Sequence, residues 1–189
     1  MKRSAAILAC LAFAALSASA QAVHSANKSP FSLTVGGTIS VFQPDTRLSI
    51  PDKSSAENIF GPGVYVDLKV NRWIQLEAEG RWLRFSLDSP VSGLHQDGQD
   101  NYLVGPRFPI HRFGKITPYA KALYGYGRLP FSTHYDSSSP NSLLAYGGGA
   151  DYRLTKRISI RPVDFEYQQW IGLPIHSYGA SAGVGYRIF

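Results

Sequence analysis

Along most of the chain beyond residue 30, apolar and polar residues alternate one by one. Between residues 31 and 41 one parity reads Phe31, Leu33, Val35, Gly37, Ile39 and Val41, while the other reads Ser32, Thr34, Gly36, Thr38 and Ser40. A period of two places successive side chains on opposite faces of an extended chain, so this pattern predicts a strand with one apolar and one polar face. The split recurs with Val64, Val66, Leu68 and Val70 against Tyr65, Asp67 and Lys69, and again with Ile74, Leu76, Ala78, Gly80 and Trp82 against Gln75, Glu77, Glu79 and Arg81. It continues through residues 102–108, 116–126, 144–154 and 178–188. In the segment from Ile158 to Tyr167 the parity slips: Ile158 and Ile160 lie on one side, then Phe165 and Tyr167 on the other. A bulge at Pro162-Val163 accounts for the slip, because a bulge inserts one residue and accepts proline. The pattern predicts eight strands and leaves no room for helices.

The links between these segments alternate in length. Short ones fall at residues 71–73, 109–115 and 155–157; long ones, rich in Ser, Pro, Asp, Asn and Gly, fall at 43–59, 86–99, 129–143 and 168–177. Short turns at one end and long polar loops at the other describe an all-β, eight-stranded, antiparallel up-and-down transmembrane β-barrel. A soluble periplasmic barrel that binds lipid has the same connectivity with its faces reversed. The two differ in where the charges go. The polar parity holds Asp67, Glu77, Glu79, Asp151, Asp164 and Glu166 with Lys69, Arg81, Arg107, Lys121, Arg153, Arg161 and Arg187, six acids against seven bases. Near balance among Gly, Ser and Thr neighbours suits a narrow lumen, where buried charges need partners. The apolar parity carries almost no charge, as lipid contact requires; Arg84, at a loop end, is placed to snorkel. Aromatic residues gather toward both strand ends, and Trp73, Trp82, Phe108, Tyr126, Tyr152, Trp170 and Phe189 are expected to form interfacial girdles, joined by Phe42 and Tyr119.

The N-terminus fits an export signal over residues 1–22: Lys2 and Arg3, an apolar run to about Leu16, and Ala20-Gln21-Ala22 as the cleavage site. Residues 23–30 then form a short lead and residues 31–189 the barrel. Export removes Cys10, the single cysteine, and leaves 17 basic against 13 acidic residues. A net charge of +4 is too mild to argue for nucleic acid. Charged residues make up 17% of the chain, below the roughly 25% usual for soluble domains.

Gly-rich amphipathic strands such as Val64-Tyr65-Val66-Asp67-Leu68, residues 102–108 and Tyr146-Gly147-Gly148-Gly149-Ala150-Asp151-Tyr152 make the chain resemble the small eight-stranded outer-membrane barrels typified by OmpX and the transmembrane domain of OmpA. The resemblance implies a lumen closed by inward charges, here Glu77, Glu79, Arg81, Arg107, Lys121, Arg153, Arg161 and Glu166, and a C-terminal strand ending in an aromatic residue read by the insertion machinery. Phe189 is that residue by position, although Tyr186, Val184 and Ala182 keep phase with Ile188 instead.

Eight strands leave an interior only wide enough for side chains, so the expected function is non-enzymatic, structural or surface-interacting, through four long extracellular loops. No cofactor is expected, and the chain is expected to be a monomer in contact with outer-membrane lipid and lipopolysaccharide. Arg47, Lys53, Arg84 and Arg128 are candidates for lipopolysaccharide phosphates. Two rival classes remain: an enzyme that modifies lipid A and a narrow gated ion channel. His95, His134, His176 and Ser177 are the only candidates for catalysis, but the adjacent pair His176-Ser177 points to opposite faces in a strand. His24, His95, His111, His134 and His176 lack metal-ligand spacing.

Overall fold

The computed structural model describes residues 31–45, 58–86, 98–128, 141–173 and 176–189. The export signal, the lead at 23–30 and residues His24, Arg47, Lys53, His95 and His134 lie outside the described residues. The described residues form strands β1 (Ser32–Asp45), β2 (Ile59–Lys69), β3 (Gln75–Leu83), β4 (Phe85–Ser86), β5 (Gln99–Pro109), β6 (Ile116–Arg128), β7 (Asn141–Arg153), β8 (Ile158–Trp170) and β9 (His176–Arg187), and no helix. β4 continues β3 beyond Arg84, since both pair with β2 and the Arg84 amide donates to the Phe60 carbonyl between them. Neighbours in sequence pair antiparallel, and β1 pairs with both β2 and β9. The sheet is thus a closed eight-stranded barrel with no free edge.

Short turns join the strands at one end. Asn71 Oδ1 accepts the amides of Trp73 and Ile74, and Thr155 Oγ1 accepts those of Arg157 and Ile158. In each case a small polar side chain replaces backbone partners inside a tight turn. At the opposite end the strands run further than their alternation, β1 to Asp45 and β8 to Trp170. The link expected to be long at 168–177 is therefore only residues 171–175, because backbone pairing continues past the apolar alternation while the inward Gln168 and Trp170 stay buried.

The bulge falls where the parity slip places it. Arg161 is opposite Gly183 and Asp164 is opposite Ser181, so Pro162 and Val163 together oppose Ala182. The same irregularity interrupts pairing with β7 between Ala150 and Tyr152. Residues three apart in a regular strand face opposite ways. The inserted residue instead turns both Arg161 and Asp164 inward, and both are buried.

The polar parity faces in and the apolar parity faces out. Ile39, Val64, Val104, Tyr126, Phe165 and Val184 are among the large apolar side chains exposed on the outer surface. Soluble monomers do not leave so continuous a band uncovered; a bilayer covers it. Within the strands the charged side chains on this face are Arg84, Asp100 and Arg128, all at the loop end, among those described.

Three expected girdle positions are corrected. Trp170 is 1% exposed, Phe42 is 0% exposed and Tyr119 is 3% exposed, and each lies inside the barrel. Each shares the inward parity, Trp170 with Glu166 and Gln168, Phe42 with Ser40, and Tyr119 with Lys121 and Leu123. Register, not residue type, decides the face. Trp73, Phe108, Tyr126 and Phe189 are exposed, while Trp82 and Tyr152 are partly covered; Tyr102 Oη accepts a hydrogen bond from Trp82 Nε1 at 3.0 Å. β9 ends at Arg187, so Phe189 lies beyond the paired strand.

Trp170 packs with Leu103, Leu123, Leu143 and Ala145, while Phe42, Ile59 and Leu83 form a second apolar cluster. Room for the indole comes from Gly127, where a methyl group would overlap the ring. Replacing Gly127 with leucine is expected to lower stability by about 1–3 kcal/mol, as overpacking does. Urea unfolding of the refolded chain in detergent micelles, followed by tryptophan fluorescence, measures this.

Candidate functional site

The inward side chains of β2, β3, β5, β6, β7 and β8 meet in a continuous network of ion pairs. Nearest the turns, Arg107 donates to Asp67 at 2.9 Å, to Gln75 at 2.9 Å and to Asp151 at 2.5 Å. Arg161 crosses the lumen to Asp67 at 3.0 Å and to Glu77 at 3.1 Å, and it also reaches Asp151 and Asp164 at 3.4 Å. In the middle the Lys121 ammonium stands 2.7 Å from Asp164, 2.9 Å from Glu166, 3.2 Å from Glu77 and 3.3 Å from Glu79. Toward the loops Arg81 grips Glu166 with both terminal nitrogens, at 2.6 and 2.8 Å, and meets Glu79 at 2.7 Å.

Forked geometry of this kind makes the strongest charge-assisted contacts, and burial demands it. Arg81, Arg107, Lys121 and Arg161 are each at most 3% exposed. An ionised group there without partners would be far more costly than one in water. Aromatic faces complete the packing: Arg107 lies 3.6 Å from the Tyr119 ring centroid and Arg161 lies 4.0 Å from that of Tyr65. Tyr65 lies over Gly36 and Gly185, where any side chain would strike its ring or hydroxyl.

Above the charges sits a layer of amides. Gln168 donates to Glu166 at 2.7 Å, and its own oxygen accepts from Gln99 at 2.7 Å and from Asn101 at 3.2 Å. The two apolar clusters follow. Gln99, Asn101, Gln168, Tyr65 and Gln75 were not among the expected lumen residues. A search restricted to charges passes over them, although their inward parity was readable.

Of the thirteen expected lumen charges, ten meet in this network: Asp67, Glu77, Glu79, Arg81, Arg107, Lys121, Asp151, Arg161, Asp164 and Glu166. Lys69, Arg153 and Arg187 do not join it. They lie on the inward parity at the short-turn ends of β2, β7 and β9 and form no ion pair among the described residues. The bonded set therefore holds six acids and four bases.

Glu77, Glu79 and Asp164 bring carboxylate oxygens within 4.8 Å of one another, a spacing able to hold a cation. Lys121 supplies that cation. His176 is outward and stacked on Tyr167 at 5.7 Å, whereas Ser177 is fully buried, so the pair cannot act as base and nucleophile on one group. Of the candidates for lipopolysaccharide, Arg84 is bound to Asp100 at 2.5 Å and Arg128 is exposed opposite Asp100.

A closed antiparallel barrel with an apolar exterior and paired charges turned inward defines the class of small membrane-spanning β-barrels. The profile of the outer membrane protein beta-barrel domain family matches residues 8–187. The chain belongs to that family, and its place is the Gram-negative outer membrane. Among solved structures, Neisserial surface protein A superposes with a TM-score of 0.65 at 13% identity, over 82% of this chain and 96% of that one. Ail, the attachment invasion locus protein of Yersinia pestis, gives 0.53 at 22% identity over 84% and 97%. OprG from Pseudomonas aeruginosa gives 0.52 at 12% identity over 86% and 97%. At these identities the likeness is one of fold. No curated protein matches the sequence.

Replacing Lys121 with methionine removes the cation shared by four buried carboxylates and leaves them to Arg81, Arg107 and Arg161. Loss of one partner from a buried ion pair is expected to destabilise the barrel by about 3–5 kcal/mol. Adding Glu79→Gln and Asp164→Asn should recover part of that loss. Equilibrium unfolding in phospholipid vesicles compares the three chains.

Proposed function

We propose that this is a non-enzymatic outer-membrane protein with a closed lumen, acting as a structural or surface-interacting element through the three long extracellular segments that follow β1, β4 and β6. The observation that carries this reading is the stack of inward side chains among the described residues: ten interlocked charges, an amide layer and two apolar clusters. The partners are outer-membrane lipid and lipopolysaccharide, with Arg128, Arg47 and Lys53 meeting lipid A phosphates and Arg84 contributing through its pair with Asp100. The C-terminal strand engages the insertion machinery, with Tyr186 and Ile188 carrying the outward phase, and the barrel is a monomer. Ail, whose name records attachment and invasion, supports a surface role for barrels of this shape.

The catalytic alternative loses support from the opposed faces of His176 and Ser177. The channel alternative requires Lys121 and its four carboxylates to part, at the expense of several buried contacts at once. Planar-bilayer recordings of the refolded chain are expected to show no discrete conductance steps at neutral pH. Steps in the wild type that disappear when Lys121 is replaced would establish the channel instead. Unheated samples should migrate as a compact, protease-resistant band that shifts on boiling.

A further inference from the structure

Charge is unevenly distributed along the barrel axis. At the short-turn end stand Lys69, Arg72, Arg112, Lys115, Arg153, Lys156, Arg157 and Arg187, and none forms an ion pair among the described residues. The two acidic side chains nearest this mouth among the described residues, Asp67 and Asp151, are committed to Arg107 and Arg161. Arg153 is close enough to Arg112 and Arg187 to feel their repulsion, and the Arg187 Nε is buried without a hydrogen-bond partner. The bonded lumen has two acids in excess, and the long segments between strands carry Asp52, Glu57, Asp88, Asp97 and Asp136 against Arg47 and Lys53. The positive charge of the exported chain is therefore concentrated at the turns. Eight like charges without an acidic partner among the described residues repel one another, an arrangement that folding alone does not favour.

Their setting indicates what neutralises them. Arg72 lies 4.9 Å from the ring centroid of exposed Trp73, and Lys115 lies 5.9 Å from that of Tyr152. Arg157 donates to the Tyr186 hydroxyl at 3.1 Å. Tyr152 and Tyr186 belong to the outward parity, so these cations stand beside aromatic rings at the edge of the lipid band. Lipid headgroups lie at that depth. The turns are also held in shape by Asn71 and Thr155, which limits the ordering needed on binding.

We propose that the short-turn end is a collar that binds the phosphates of anionic phospholipids in the periplasmic leaflet. Arg72, Lys115, Lys156 and Arg157 meet the headgroups around the rim, while Lys69, Arg112, Arg153 and Arg187 raise the positive potential at the mouth. The collar fixes the depth of the barrel and enriches anionic lipid around it. The proposal needs only the outer-membrane placement, so a failed conductance or loop-binding test leaves it intact.

Spin-labelled phosphatidylglycerol and phosphatidylcholine, each added to phosphatidylcholine vesicles containing the refolded chain, report which lipid the barrel holds. Phosphatidylglycerol is expected to be preferred about threefold or more at low salt, and the preference should fall toward unity in 1 M sodium chloride. The variant Arg72→Gln/Lys115→Gln/Lys156→Gln/Arg157→Gln should lose most of it while keeping its heat-dependent gel shift. If that variant does not fold, Lys156→Gln/Arg157→Gln alone should roughly halve the preference. No preference in the wild type, or one unchanged in the folded variants, overturns the proposal. Millimolar inorganic phosphate erasing the preference would point to a free-anion site, and collar-dependent sedimentation with peptidoglycan sacculi in place of lipid selectivity would point to the cell wall; either result also overturns it.

Discussion

The Lys121 ammonium, enclosed by Glu77, Glu79, Asp164 and Glu166, is the contact on which the interior depends. Five charges packed this closely are stable only as a set, because any one left alone would be an ion out of water. Arg81, Arg107 and Arg161 extend the set up and down the axis, so that β2, β3, β5, β6, β7 and β8 are tied across the lumen as well as along their edges. β1 and β9 contribute no charge to the network. Apart from Phe42 and Arg187 near the two ends, their inward positions are small, and Tyr65 from β2 occupies the space above Gly36 and Gly185. The barrel thus has a charged wall and a glycine-lined wall, and the tyrosine fills the gap between them.

The bulge in β8 serves the same network. Asp164 touches both Lys121 and Arg161, and it does so only because Pro162 and Val163 share one place in the register. Bulges often occur where a strand must re-aim a side chain. Here it supplies an inward acid to the lysine without removing the inward arginine that bridges to β2.

The rest of the molecule is arranged around that fixed centre. Toward the loops the filling passes from ions to amides to apolar side chains, and the loop-end rim pairs Arg84 with Asp100. Toward the turns it passes from ions to cations without acid partners. The loop-end rim holds an ion pair, whereas the turn end retains positive charge beside aromatic rings at the membrane surface. The polarity matches a membrane whose two leaflets differ, and it gives the two ends of a nearly symmetrical scaffold different chemistry.

The strands, their order and the facing of charges were legible in the sequence, because a two-residue period and the cost of charge in lipid admit one arrangement of a closed sheet. The slip after Ile160 even located the bulge. Residue type misled where it was trusted over parity: Trp170, Phe42 and Tyr119 are aromatic and near strand ends, yet their register points them inward, where they pack the lumen. The near equality of inward acids and bases also concealed a division. Which charges meet depends on the stagger of strands around the closed barrel, a property that no single strand carries. That stagger brings ten of them into contact and leaves Lys69, Arg153 and Arg187 at the mouth, because an ion pair needs an approach of a few ångströms that sequence spacing cannot specify.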